Sequence, residues 1–344
     1  MQATPCSAPR RVEIDEADLG AAVRSTRRAL DDGATVTFVL GPASSDPRRM
    51  ATRAAIAGFA RSLRVELPDR VEPPAPLPRS RAASTAATRL SGLAVVTGAA
   101  GGIGRALTQQ LLERGMRVIG IDHDRAALDA LAETVGDRFE PHEADLRTLE
   151  QLPGTDPIDL LVHSAGISCV GRFADLTLAP QLDVVAVNHE APMRLTERAL
   201  ARRRLIGGVV FVSSLSHYVG YPGAAVYAAT KDGLAAYASA LREASEERQI
   251  LTVFPGPTRT EHARRYSPRG SDPSRRMPPS EVAAAIVRAL LAGGTELVPG
   301  GGNQALAWLG ARAPRLGEWL MQRFVLRRLD AVGPEEPVEP AGSA

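Results

Sequence analysis

Three observations predict a doubly wound parallel α/β sheet with a small α/β extension at its N-terminus. From Leu93 onward, short β-branched runs alternate with amphipathic stretches of helical period, the pattern of parallel strands joined by crossover helices. A glycine-rich loop, TGAAGGIG at 97–104, lies between the first such strand and the first such helix. A stretch over 69–90, rich in Pro, Ala, Ser and Arg and without apolar period, reads as a linker that divides this domain from what precedes it.

The elements follow in order. Residues 1–68 read as an αβα extension, its strand in ATVTFVLG and its last helix in ATRAAIAGFARSLRVEL. In the main domain, 91–330, LAVVTG is a strand, RALTQQLLERG a helix, MRVIGID a strand and RAALDALAETVG a helix. FEPHEADL gives a short strand with its exit turn, IDLLVHSAG a buried strand, and Leu182 to Arg204 one long helix. GGVVFVSS is the next strand, closed by Ser214, and a helix carrying Tyr227 follows. ILTVFPGP, the helix SEVAAAIVRALL and the short strand TELVPGG complete the domain. Leu306, Leu309, Ala313, Leu316, Leu320 and Phe324 recur at helical spacing, broken near Pro314, and predict two amphipathic helices. Docking on the domain or on a partner is their default role; a place on a membrane surface or over a lipophilic pocket is the other reading. The acidic, Pro-rich tail, 331–344, is expected to be disordered.

Bulk properties exclude several classes. With 344 residues, 44% of them hydrophobic, and a net charge of +2, the chain fits a soluble globular protein with a substantial core. The arginine excess is too small and dispersed for nucleic-acid binding. Two cysteines, Cys6 and Cys169, cannot build a disulfide framework, which points to a reducing, cytoplasmic compartment. The N-terminus lacks the apolar core of a signal peptide, and no apolar run approaches the ~20 residues that span a bilayer. No cluster suggests a metal site.

Two constellations carry chemistry. Gly98, Gly102 and Gly104, with Ile103 at the helix start, let the backbone turn tightly and approach a pyrophosphate at a helix N-terminus, where free N–H groups favour anions. Asp122, at the end of the next strand, can accept hydrogen bonds from ribose hydroxyls and repel a 2′-phosphate, which favours NAD over NADP. Asp145, after the third strand, either touches adenine or caps its own turn. The second constellation contains Lys231, the only lysine among 41 Lys and Arg residues, four residues after Tyr227. On a helix that spacing puts both side chains on one face. A free phenol titrates near ~10, and an adjacent cation favours its phenolate.

Ser214 stands thirteen residues before Tyr227, Asn188 lies in the preceding helix, and Ser164-Ala165-Gly166 and Pro255 to Thr260 follow two strands. Together with TGAAGGIG, these motifs resemble those of the short-chain dehydrogenase/reductase family in order and spacing. The resemblance implies a Rossmann fold and NAD(P)-dependent interconversion of a secondary alcohol and a ketone. It implies that Tyr227 is the general acid/base, that Ser214 holds the reacting oxygen, and that Lys231 lowers the Tyr227 pKa and binds the nicotinamide ribose. Asn188 would distort its helix so that a water reaches Lys231. Ser164, Ala165, Gly166, Pro255, Gly256, Thr258 and Thr260 would line the cofactor, the last four around its carboxamide. Ser164 replaces the family's usual asparagine, which puts local rigidity in question. A ketoreductase on carrier- or CoA-bound intermediates, a non-redox cyclase or epimerase, and a non-catalytic dinucleotide-binding scaffold are the alternatives. His163 reads as structural, while His217, Tyr218 and Tyr221 are expected near the substrate pocket.

The extension repeats part of the domain. Aligning Thr52 with Thr230 sets Arg49 at the tyrosine position, Arg53 at the lysine position and Phe38 on Phe211. It reads as a decayed copy of the strand-plus-helix segment, without the glycine loop, or as an unrelated αβα piece. The family commonly dimerises through helices flanking the active-site strand, so such a copy could dock there and modify a homodimer or other homo-oligomer. Arg259 to Pro279 falls where the family carries a substrate lid; its arginines meet either an acidic substrate tail or solvent.

Overall fold

In the computed structural model, the described residues are 10–13, 19–40, 44–72, 87–245, 247–266, 274 and 276–323. The predicted tail over 331–344, Phe324 and the rest of 324–330, Cys6, and the lid residues 267–273 and 275 lie outside them.

The main sheet contains β4 (Leu93–Thr97), β5 (Arg117–Asp122), β6 (Phe139–Glu143), β7 (Ile158–His163), β8 (Leu205–Val212), β9 (Ile250–Val253) and β10 (Glu296–Leu297). All neighbours pair in parallel, in the order β10-β9-β8-β7-β4-β5-β6. The chain leaves β6 at one edge and re-enters at β7, beside β4. That reversal between β4 and β7 makes a crevice at the carboxyl ends of the strands.

Alternation along β4 sends Ala94 and Val96 to one face and Leu93 and Val95 to the other. The first face is covered by α3 (Gly102–Glu113), α4 (Arg125–Val135) and α10 (Pro279–Leu291), through Leu107, Leu111, Leu128 and Ile286. The second is covered by α6 (Ala191–Ala201) and α8 (Ala225–Ala244), through Leu195, Leu234 and Tyr237. The predicted single helix over 182–204 begins earlier, as α5 (Leu178–Val185), and runs into α6 through a π-turn at Ala186–Glu190. Strand β8 ends at Val212, so Ser214 stands in the loop after it.

The N-terminal unit departs from the αβα expectation. Its elements are β1 (Arg10–Glu13), α1 (Leu19–Asp31), β2 (Val36–Val39), α2 (Pro47–Glu66) and β3 (Val71–Glu72). The strands form a separate parallel sheet, with β2 central. Strands of four and two residues carry too little alternation to be read from sequence. The expected linker over 69–90 is correspondingly shorter: β3 belongs to the small sheet, and Thr88 N–H donates to Gln249 Oε1 at 2.8 Å on the main domain. Helix α2 begins at Pro47 behind the Asp46 cap, whose side chain accepts from Arg49 N–H.

Helix α2 lies against α8, and α1 lies against α5. Small residues allow the close crossing: a Cβ on Gly58 would meet Asp232, and one on Gly233 would meet His189 and Ala55. A single apolar cluster joins Val23, Phe38, Ile56 and Phe59 of this unit to Phe173, Val185 and Val226 of the main domain. Two C-terminal helices appear, α11 (Gly301–Arg312) and α12 (Pro314–Met321), packed on α7 (Ser216–Val219), although Leu316 of the predicted apolar stripe is exposed.

Candidate active site

The glycine loop closes β4 onto α3. Gly98 has φ +71°, and a Cβ there would come within 2.8 Å of the backbone N and Cα of Ala165. Gly104 abuts the Gly98 carbonyl and Ser164 Oγ, and Gly102, at φ +50°, abuts the Thr260 methyl. The loops after β4, β7 and β9 therefore meet over the start of α3, a cradle that side chains at these glycines would fill. Its exposed N–H groups and open backbone fit a pyrophosphate.

Asp122 sits at the rim of this cradle. Its carboxylate accepts from Ala100 N–H (3.0 Å), His123 N–H (2.8 Å) and Asp124 N–H (3.3 Å), and His123 Nδ1 lies 3.0 Å away. Burial opposes its charge, but the bonds from His123, Ala100 and Asp124 prevail and hold its carboxyl below the usual range. Asp145 is paired with Arg147 at 2.6 Å and accepts from Arg147 N–H, closing its own turn, while Arg147 also pairs with Asp183.

Across the crevice, four predicted residues converge. Tyr227 is half-buried; burial raises its pKa, and the Ser214 side chain opposes that rise. Lys231 lies 5.6 Å from the Tyr227 ring centroid, donates to Val212 O at 2.9 Å, and is pulled down to about 8 by burial. Burial is the largest influence on the Tyr227 phenol and raises it, against the expected acidification, although the Lys231 ammonium lies over its ring. Asn188 lies in the π-turn; its Oδ1 accepts from Ile167 N–H (2.9 Å), and its Nδ2 donates to Ile167 O (2.8 Å) and Thr230 Oγ1 (3.3 Å). A Cβ on Gly166 would stand 3.2 Å from Lys231 Nζ and 3.4 Å from Asn188 Oδ1, so this glycine leaves the ammonium its room.

The loop after β9 turns by local bonds. Pro255 O accepts from Leu215 N–H, Thr258 Oγ1 donates to Gly256 O, and Asn303 of α11 packs on Gly256. Thr260 Oγ1 accepts from Ala263 N–H at 3.1 Å and thereby starts α9 (Glu261–Tyr266).

Helix α9 brings in a residue that the sequence reading missed. His262 Nδ1 lies 3.2 Å from Gly166 O, with its ring 6.0 Å from that of Tyr227; burial and then the Lys231 charge press its pKa down to about 4. The available signal was Thr260 as a cap, opening a helix whose second residue turns inward. Tyr221 meets Tyr227 at 6.5 Å, as expected. His217 does not face the site: it stacks on Phe254 and bonds Asp232 at 2.8 Å, and Tyr218 packs on the same Phe254. His163 is structural, bonded to Thr196 and stacked on Phe211.

Among the described residues, no group of three or more His, Cys, Asp or Glu gathers to hold a metal, and no helix is long and apolar enough to cross a membrane.

Comparison with known proteins places this geometry. A model of the short chain dehydrogenase family matches residues 92–270, more than half of the chain. An uncharacterized short-chain type dehydrogenase/reductase of Sinorhizobium fredii is 32% identical over 176 residues, 49% of this chain and 70% of that protein. The 3-oxoacyl-[acyl-carrier-protein] reductase of Vibrio harveyi is 30% identical over 216 residues, 57% of this chain and 88% of that one. Among solved structures, a short-chain dehydrogenase/reductase of Brucella melitensis superimposes with a TM-score of 0.52 at 28% identity, covering 62% of this chain and 97% of its own. A variant of actinorhodin polyketide ketoreductase with NADPH gives 0.55 at 25% identity, covering 63% and 99%. The chain therefore belongs to the short-chain dehydrogenase/reductase family of NAD(P)-dependent oxidoreductases.

Proposed function

We propose that the chain interconverts a secondary alcohol and a ketone, with Tyr227 exchanging the proton at the reacting oxygen and Ser214 holding that oxygen. The observation that supports this most is the convergence on one crevice of half-buried Tyr227, Ser214 beside it, and the Lys231 ammonium over its ring. A bound nicotinamide dinucleotide supplies or accepts the hydride. The glycine cradle would hold its pyrophosphate, and Ser164 to Gly166 and Pro255 to Thr260 would flank it. Asp145, at the edge of the cradle, would reach its adenine end. Asp122, kept ionised by its N–H donors, would accept from the ribose and disfavour a 2′-phosphate, so NAD is preferred over NADP. Tyr227 hands its proton to the carbonyl oxygen in reduction and takes one from the alcohol in oxidation. Lys231 and Asn188 hold the Tyr227 side of the crevice and link it to the loop at Gly166.

A second reading, reduction of acyl groups carried as thioesters, is favoured by the match to the Vibrio harveyi reductase along most of that protein's length. Titration with NADH and NADPH, then a panel of ketones, 3-oxoacyl thioesters and alcohols followed at the nicotinamide absorbance, tests both readings. Tyr227→Phe should retain dinucleotide binding and lose roughly 10²–10⁴-fold in turnover. Unchanged turnover in that variant would refute the assignment.

We also propose that the N-terminal unit is a decayed copy of the β7-to-β9 segment. Its sheet repeats the parallel order with a central second strand. In the Thr52-to-Thr230 alignment, Ala55 corresponds to Gly233, and these two equivalents face each other where α2 crosses α8. An isologous contact requires a residue near the two-fold axis to meet its own equivalent. Docked there, the unit covers α5 and α8, so a homo-oligomer of this chain would assemble through other surfaces. The compartment we assign is the reducing cytoplasm; burial pushes the Cys169 thiol up to about 12, leaving it unreactive.

A further inference from the structure

The N-terminal unit has no glycine loop, yet one end of it reaches the mouth of the crevice. Glu66, the last residue of α2, is 6% exposed. One carboxylate oxygen accepts from Phe173 N–H at 2.8 Å and the other from Gly223 N–H at 2.7 Å. Phe173 lies in the loop from β7 to α5, downstream of Gly166; Gly223 lies four residues before Tyr227. Gly171 N–H donates to Gly223 O at 2.8 Å, so the same two loops are joined by a backbone bond beside the carboxylate bridge.

The neighbouring residues act in the same way. Ser62, one turn before Glu66, lies 3.4 Å from Tyr221 N, and the Tyr221 ring meets Tyr227. Phe59 packs edge-on against the Phe173 ring at 5.2 Å. From α1, Arg27 donates to the Phe173 carbonyl at 3.1 Å and to the Leu176 carbonyl. The N–H of Phe173 is thus held by one helix of the unit and its carbonyl by the other. Burying a carboxyl group without partners is costly, and two backbone N–H groups meet this one.

We propose that Glu66 is a positioning residue for the reaction, fixing from the N-terminal unit the two loops that bound the substrate, with Arg27 holding the first loop from its other side. The inference rests on the oxidoreductase reading only in naming these loops as the substrate side; the clamp itself is a statement about order in the full chain.

The test uses the full chain and two variants, Glu66→Gln and Arg27→Met. Glutamine keeps the shape but presents an amide N–H to one of the two donors, so one of the two backbone bonds is lost. Local opening of the loops should rise roughly ten- to hundredfold, read as faster hydrogen exchange in peptides spanning 168–176 and 219–226. NADH affinity, measured by fluorescence, should stay within about twofold. With ethyl acetoacetate or acetoacetyl-CoA as probe, KM should rise more than kcat falls. Arg27→Met should loosen 168–176 alone and serves if Glu66→Gln folds poorly. Exchange unchanged in both segments, or raised evenly along the chain with no loop preference, would overturn the clamp. Because exchange and NADH binding need no turnover, a chain inactive on every ketone would refute the reaction and leave this test standing.

Discussion

Replacing Lys231 by arginine separates charge from shape. Lys231 is 4% exposed, and its ammonium donates to Val212 O at 2.9 Å and would stand 3.2 Å from a Cβ at Gly166. A guanidinium is wider, planar and permanently charged. Forcing it into this space should cost about 1–3 kcal/mol of stability, a fall of several degrees in melting temperature. The charge remains but moves by about an ångström from the Tyr227 ring, and such a displacement is worth about 10²-fold in rate. Adding the lost fit, kcat/KM should fall by about 10²–10³-fold, or ~3–4 kcal/mol of transition-state stabilisation. Lys231→Met, which loses both charge and donor, should be no more than about tenfold worse. The pH profile gives a second measure. Burial brings Lys231 down to about 8, and lysine is charged below its pKa, so activity that needs the ammonium holds below about pH 8 and declines above it. That alkaline limb should vanish in the arginine variant. An arginine enzyme within about threefold of the parent, or one with the same alkaline limb, would refute the reasoning.

Other outcomes follow from the same geometry. Asp122→Ser removes a fixed negative charge from the cradle rim and should raise the NADPH-to-NADH affinity ratio by about 10–100-fold, measured by parallel titrations. Gly98→Ala combines a φ of +71° with a 2.8 Å approach to Ala165; the left-handed conformation alone costs ~1–2 kcal/mol, and both melting temperature and NADH binding should fall. Burial raises Glu66 to about 7, so between an unfolded value near ~4.3 and 7 the folded chain binds more protons than the unfolded one. Stability from this group therefore falls as pH rises through that window, and the melting-temperature difference between parent and Glu66→Gln should shrink from pH 5 to pH 8. A Gly58→Cys and Asp232→Cys pair, with Cys6 and Cys169 removed, should cross-link within one chain, since a Cβ at 58 falls beside that of Asp232. A cross-linked dimer on a non-reducing gel would contradict docking in cis.

Much of the main domain was legible because its signals are local. A glycine loop between strand and helix, an acid closing the next strand, and a Tyr-to-Lys spacing of one helical turn each identify themselves within a few residues. The structure brings Ser214, Tyr227, Lys231 and Asn188 to one side of one crevice, and the π-turn falls at Asn188. What stayed hidden depends on distant partners. Glu66 looks like any acid at a helix end until the loops at Phe173 and Gly223 are placed on it. His217 looked like a pocket residue, but Asp232 draws it toward α2. The Tyr-to-Lys spacing reports only the sign of a neighbour, whereas burial, which no spacing reports, raises the Tyr227 phenol.

The apolar cluster shared by the two units bears on how the molecule comes apart. Ile56 and Phe59 have no exposed surface, and their partners Phe173 and Val226 belong to the other unit, so neither half can shed its water-avoiding face alone. Such a chain should melt as one body. Severed by a protease site introduced between residues 72 and 87, it should persist as two fragments that co-elute, with the amino-terminal piece acting as a bound subunit of its own parent.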